Sequence, residues 1–87
     1  MDDQEKIEAA AVLDLRDLLC PLPVLKARKR LMQMAEGEVL RLEATDPMAM
    51  IDIPHFCHEQ GHELLMQGSE DGVYRFAIRR GADRPEE

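Results

Sequence analysis

The sequence predicts an α+β fold, a two-layer α/β sandwich in the order β-α-β-α-β-β, with two helices on one face of a four-stranded mixed sheet. Four segments alternate apolar and polar residues, a pattern typical of strands that are buried on one face. Two intervening segments carry apolar residues at helical spacing. Because each element has one apolar face to bury, the elements are expected to pack in two layers.

The first strand and the first helix occupy the N-terminal part of this fold. Residues 11–16 alternate and are predicted to form the strand. The helix is predicted to run from Pro21 to about Ala35, since proline suits the first helical position, where its missing N–H would lack a partner anyway. Gly37 is expected to close it. The apolar stripe predicted for this helix is Val24, Ala27, Leu31 and Ala35.

The remaining three strands follow from the same alternation. Residues 38–44 form the second strand, which should lie parallel to the first in a right-handed βαβ unit. Residues 62–67 and 73–80 flank a turn signal at residues 69–72, so a hairpin is expected to complete the sheet.

The second helix is predicted with an interruption. Thr45 and Asp46 precede a proline and can cap a first turn. Pro54 should break the helical pattern, so we expect a short turn, a kink and then a helix from about Ile53 to Gln60. A glycine follows and would end that helix.

The length and composition fit one globular domain. The chain has 87 residues, of which 45% are hydrophobic and 33% charged, and it is expected to contain one modest core. Residues 10–81 are predicted to form the domain, and residues 1–9 and 82–87 flexible tails. We expect a monomer. We also expect a location in the cytoplasm, because two distant cysteines cannot build a disulfide framework and no apolar run could span a bilayer.

The charge of the chain bears on its partners. A net charge of −7 opposes binding to phosphate backbones, so neither direct nucleic-acid binding nor membrane binding is expected. One basic cluster lies within the first predicted helix. Its residues Lys26, Lys29 and Arg30 are candidates for docking an acidic protein partner, although such a run is also typical of a solvated helix face.

Cys20 is the candidate reactive residue. It precedes the first predicted helix, where backbone N–H groups and the helix dipole would favour its thiolate. Pro21 and Pro23 restrict the backbone after it and should hold the sulfur outward. The alternative is that Cys20 is only a small residue at the helix start.

The chemistry of Cys20 is narrowed by what the sequence lacks. There is no Cys-x-x-Cys motif, which argues against a thioredoxin-type dithiol, and a domain this small has little room for a hydrolytic cleft. A lone exposed nucleophile suits transfer between proteins. A redox-responsive thiol and a regulatory interaction module remain as alternatives. Cys57 is interpreted as a core residue rather than a second thiol. A zinc site is disfavoured, and its candidate ligands would be His55, Cys57, His58 and His62.

Several motifs together resemble a known family. They are Cys20-Pro21-Leu22-Pro23, Asp46-Pro47, Asp52-Ile53-Pro54, Phe56-Cys57, His62-Glu63-Leu64 and Tyr74-Arg75-Phe76. In collinear order over about residues 11–81, they are similar to the TusA family of sulfur-carrier proteins, also called SirA-like. The resemblance implies that Cys20 accepts sulfane sulfur as a transient persulfide, with no other cofactor, from a cysteine desulfurase or rhodanese. It further implies a TusD-like, DsrE-like or other acceptor protein, with 2-thiouridine in tRNA as one destination.

The chain departs from the best-known family members at three positions near these motifs. Asp17 stands where glycine is usual, Leu19 where some members carry arginine, and Ile51 where members of the tRNA pathway carry arginine. Because Leu19 and Ile51 are uncharged where those members carry arginine, there is less positive charge around the reactive sulfur. The resemblance therefore implies a carrier more firmly than it implies any one partner.

Overall fold

A computed structural model describes residues 9–82 of the chain. Six elements follow in the predicted order: β1 (Ala11–Leu15), α1 (Leu22–Met32), β2 (Val39–Ala44), α2 (Ala49–Gln60), β3 (Glu63–Glu70) and β4 (Val73–Arg79). Of the predicted tails, residues 1–8 and 83–87 lie outside the described residues. Within the described range, no helix is long and apolar enough to cross a membrane.

The sheet is mixed, as predicted, and its strand order is β1-β2-β4-β3. β1 and β2 are parallel, and β4 is antiparallel to both of its neighbours. Leu42 lies opposite Leu13 on one side and Phe76 on the other, which gives the sheet one continuous apolar face.

Both helices pack on this apolar face, so the two-layer sandwich is confirmed. The core is one cluster, and the burial of each large side chain within it stabilises the fold by about 1.5–3 kcal/mol. Its buried members are Leu15, Ala27, Leu31, Met34, Leu40, Leu42, Ala44, Ala49, Ile53, Phe56, Cys57, Phe76 and Ile78.

α1 is shorter than predicted at both ends. It begins at Leu22 because Pro21 takes the N-cap position. It ends at Met32 because the next two N–H groups bond to carbonyls three residues back, which tightens the last turn. As a result Met34 is buried, while Ala35, which we expected in the apolar stripe, is exposed.

α2 is one continuous helix from Ala49 to Gln60, so the predicted interruption and the late start at Ile53 are wrong. Pro54 cannot donate a hydrogen bond to the carbonyl four residues before it, yet the helix continues through it. The buried side chains Ala49, Ile53 and Phe56 lie on both sides of the proline and hold the helix against the sheet. The predicted end is confirmed, because Gly61 has a left-handed φ of 77°.

The hairpin between β3 and β4 is tighter than predicted. Its strands pair up to Glu70 and Val73, so the turn consists only of Asp71 and Gly72. Their φ values of 55° and 82° are both positive, as the favoured two-residue hairpin turn requires. Ser69 therefore belongs to β3 and is not part of the turn.

Candidate functional site

The loop between β1 and α1 carries Cys20 at the carboxyl end of β1. Asp17 reverses the chain with a φ of 70°, a left-handed conformation that few side chains tolerate. Its backbone N–H donates to Thr45 Oγ1 at 2.8 Å, which ties this loop to the segment after β2. Because β1 and β2 are parallel neighbours, their carboxyl ends meet at one edge of the sheet, and so do the loops that follow them.

Asp46 fixes the backbone of Cys20. Its Oδ2 accepts the Cys20 N–H at 2.7 Å, and its Oδ1 accepts the Met48 N–H at 3.0 Å. These two hydrogen bonds lower the pKa of Asp46 below its ordinary value, because both stabilise the charged carboxylate. Asp46 thus caps the turn before α2, as expected, and it also holds the cysteine loop.

The Cys20 sulfur is exposed and lies against a second carboxylate. Its Sγ–H donates to Asp52 Oδ2, with 3.1 Å between sulfur and oxygen. This hydrogen bond raises the pKa of the Cys20 thiol, and desolvation and the negative charges of Asp52 and Asp46 raise it further.

The expectation of a helix-stabilised thiolate is therefore wrong for the free protein. Cys20 lies two residues before the first residue of α1, and the intervening Pro21 has no N–H to offer its sulfur. A helix terminus carries roughly half a unit charge, whereas the carboxylate of Asp52 carries a full one in direct contact. The nearer charge determines the direction of the shift.

A groove between α1 and α2 opens beside Cys20. Its volume is about 430 Å³. Apolar side chains from both helices and polar side chains from α2 line it: Cys20, Pro21, Val24, Asp52, His55, Phe56, Glu59 and Gln60. The exposed sulfur therefore lies at the edge of an open groove.

The two prolines of the cysteine motif have different environments. Pro21 caps α1 and lines the groove, and the Cys20–Pro21 peptide bond is cis. Pro23 is buried and anchors the first turn of α1 in the core. The positioning role of both residues stays a prediction.

The two aspartates that contact Cys20 were not predicted as site residues. The sequence indicates Asp46 as a cap and as part of a motif, and Asp52 as part of a motif. It does not link them to the cysteine, because they lie 26 and 32 residues from it. A signal was available nonetheless. Parallel strands place the loop after β1 beside the loop after β2, and Asp46 lies in the second of these loops.

The chain is similar to known proteins over most of its length. A family model described as sulfurtransferase TusA matches residues 11–80. The chain belongs to the TusA family. It is 48% identical over 73 residues to the sulfur carrier protein TusA of Pseudomonas entomophila (strain L48), which covers 84% of this chain and 91% of the relative. The protein of the same name from Pseudomonas putida (strain W619) is 45% identical over the same shares.

A solved structure supports the TusA fold. A SirA-like protein from Desulfitobacterium hafniense superposes with a TM-score of 0.73, covering 83% of this chain and 99% of the other. At 23% sequence identity, this likeness concerns the fold alone.

Two apolar residues that precede Cys20 and Asp52 in the sequence lie on the surface. Leu19 is 69% exposed and precedes Cys20 directly. Ile51 is 64% exposed and precedes Asp52, whose carboxylate contacts the sulfur. The surroundings of Cys20 in this TusA chain thus combine exposed apolar side chains with acidic groups.

The predicted docking residues lie on a different part of this TusA domain. Lys26 and Lys29 are exposed on α1, and Arg30 is half-buried and donates to Gln33. With Leu13 and Gln33 they line a shallow depression that does not include Cys20. The structure therefore does not bring the basic cluster and the cysteine into one site.

Cys57 and the histidines have no metal-binding arrangement within the described part of the TusA domain. No group of three or more His, Cys, Asp or Glu residues there could hold a metal ion. Cys57 is 2% exposed, and its burial raises the pKa of its thiol to about 11. Its place in the core agrees with the structural interpretation, and both cysteines are free.

Proposed function

We propose that this protein is a sulfur carrier that holds one sulfane sulfur as a persulfide on Cys20. The observation that carries the proposal is an exposed thiol at the edge of an open groove, in a chain of the TusA family. Relatives with 45–48% identity bear the name sulfur carrier protein. A sulfur that must reach two partner proteins in turn has to be exposed, and Cys20 is.

The proposed loading reaction is a thiol–persulfide exchange between Cys20 and a donor cysteine. The Cys20 sulfur attacks the outer sulfur of a donor persulfide, and a new S–S bond forms on Cys20. The S–S bond of the donor breaks, and the donor cysteine leaves as a thiol after it takes a proton. Sulfane sulfur moves without net oxidation, so the protein needs no cofactor beyond the transient persulfide.

The donor in this proposal is a cysteine desulfurase or a rhodanese, and the acceptor is a TusD-like, DsrE-like or other sulfur-accepting protein in the cytoplasm. Sulfur for 2-thiouridine in tRNA is one destination that fits such a relay. Docking would use the exposed apolar residues Leu19 and Ile51 close to the sulfur. The basic side chains of Lys26, Lys29 and Arg30 would attract an acidic partner from farther along α1.

The loading step is tested with a cysteine desulfurase and L-cysteine. Wild-type protein is expected to gain the mass of one sulfur atom in intact-mass spectrometry and to lose it on treatment with a reductant. Cys20→Ala should gain nothing. Cys57→Ala is the matched control, since it removes the buried thiol, and it should load like the wild type.

Two results would contradict the proposal. One is the absence of any adduct on wild-type protein under conditions in which the desulfurase itself forms a persulfide. The other is an adduct that persists in Cys20→Ala, which would place the sulfur on a different residue.

A further inference from the structure

The sulfur of Cys20 has a hydrogen-bond partner on α2. Asp52 lies near the start of α2, and its Oδ2 is 3.1 Å from Cys20 Sγ. This separation is within the roughly 2.6–3.2 Å over which a side chain can take a proton from a reacting group. The hydrogen bond joins the loop before α1 to α2 across 32 residues of sequence, so it depends on the tertiary fold.

We propose that Asp52 is the proton holder of Cys20: its carboxylate keeps the resting sulfur as a thiol and accepts the proton when that sulfur attacks a donor persulfide. The inference rests on the proposed carrier function and assigns a residue to its loading step. Asp52 hydrogen-bonds to the reacting atom, which a proline side chain cannot do.

The step balances as a proton transfer coupled to thiol exchange. The Sγ–H bond of Cys20 breaks, and its proton moves to Asp52 Oδ2. The freed electron pair on Sγ forms the bond to the outer sulfur of the donor persulfide. The donor S–S bond breaks and leaves a donor thiolate, which receives the proton from Asp52 and restores its carboxylate.

The other charged groups around the sulfur are placed differently. Asp46 accepts two backbone N–H groups, so both of its oxygens are already engaged. From α2, His55 and Glu59 also line the groove, while α1 contributes only uncharged residues to it. Asp52 is the group among these that hydrogen-bonds to Sγ.

Holding the sulfur as a thiol has a physical consequence. The thiolate is the nucleophilic form of cysteine, and the raised pKa of Cys20 reduces that form in the free protein. An exposed thiol protected in this way reacts slowly with stray electrophiles. When a donor persulfide is placed against the sulfur, the same carboxylate is in position to accept the proton.

The test measures the alkylation rate of Cys20 by iodoacetamide across a pH series. Cys57→Ala serves as the background, so that Cys20 is the only thiol. Asp52→Asn is expected to shift the midpoint of the profile to lower pH and to speed alkylation several-fold at neutral pH. Glu59→Gln is the matched control, because it removes a carboxylate from the same groove without a hydrogen bond to Sγ, and its midpoint should stay close to that of the background.

A second variant and a second readout keep the result decisive. Asp52→Ser removes the same charge, and circular dichroism checks that each variant is folded. At pH values below the alkylation midpoint, loading by a cysteine desulfurase should be slower in both Asp52 variants than in the wild type, because the Cys20 thiol then has no carboxylate beside it to accept its proton. An unchanged or raised midpoint in folded Asp52 variants would overturn the proposal even if wild-type protein forms the persulfide. If the midpoint is lowered in the Asp52 variants but the wild-type protein forms no persulfide, the carrier function is contradicted, and Asp52 remains the residue that controls the protonation of the thiol.

Discussion

At the scale of single residues, the position of Cys20 depends on two aspartates with different tasks. Asp17 takes the left-handed conformation that turns the chain after β1. Asp46 then accepts the N–H of Cys20 and fixes the loop against the start of α2. Neither residue hydrogen-bonds to the sulfur, yet both determine the position of the loop that carries it.

The turn at Asp17 leads to a stability prediction. A left-handed conformation costs most side chains about 1–2 kcal/mol, whereas aspartate tolerates it better and glycine adopts it freely. Asp17→Ala is therefore expected to lower the free energy of unfolding by about 1 kcal/mol. Asp17→Gly should remain at least as stable as the wild type. Urea unfolding measures both.

The comparison of the two variants is the control. Both remove the same carboxylate, so only the backbone preference separates them. Equal stability of Asp17→Ala and Asp17→Gly would show that the conformation at residue 17 is not under strain.

The site could be predicted in part from these residues. Cys20 was identified because a strand, a cysteine and two prolines follow one another locally. The hydrogen bond to Asp52 was not, since it depends on how α1 and α2 pack across the sheet. The direction of the pKa shift was consequently wrong: the helix terminus was visible in the sequence, and the nearer carboxylate was not.

At the scale of the elements, the apolar periodicity predicted all four strands and both helices, and their ends less well. The errors have local causes. The last turn of α1 tightens and exposes Ala35, and α2 passes through Pro54 because its buried side chains hold it on both sides. Alternation in β1 and β2 was the most reliable signal, since one face of each strand packs on the core.

The basic cluster on α1 allows a prediction about docking. Lys26→Glu together with Lys29→Glu is expected to slow sulfur acceptance from an acidic donor several-fold at low salt, because like charges reduce the rate of encounter. The fold should be intact, since both side chains are exposed. The rate is measured by stopping the transfer reaction at several time points and analysing each sample by mass spectrometry.

Lys26→Glu and Lys29→Glu are also measured singly, and Arg28→Glu is the matched control for each of them. It reverses one charge on the exposed surface of the same helix, but it lies outside the depression lined by the two lysines. Transfer rates that are unchanged in the double variant at low salt, or reduced equally by Arg28→Glu, would exclude a specific role for the lysines.

At the scale of the whole molecule, the chain presents one exposed thiol with a carboxylate beside it. The described two-layer domain has its reactive sulfur at an edge, beside an open groove, and its second thiol in the core. This arrangement is suited to successive contacts with two proteins. The net charge of −7 and the acidic groups near Cys20 favour partners that bring positive or apolar groups to the groove.

The central claim is that sulfur moves through Cys20, and a chase experiment tests it most directly. Protein is loaded with radiolabelled sulfur by a cysteine desulfurase, freed of the donor, and mixed with an excess of a TusD-like or DsrE-like acceptor. The account predicts that the label leaves this protein and appears on the acceptor, that it is released by a reductant, and that Cys20→Ala never acquires it. Label that stays on the loaded wild-type protein in the presence of each acceptor, or that reaches the acceptor equally through Cys20→Ala, would contradict the account.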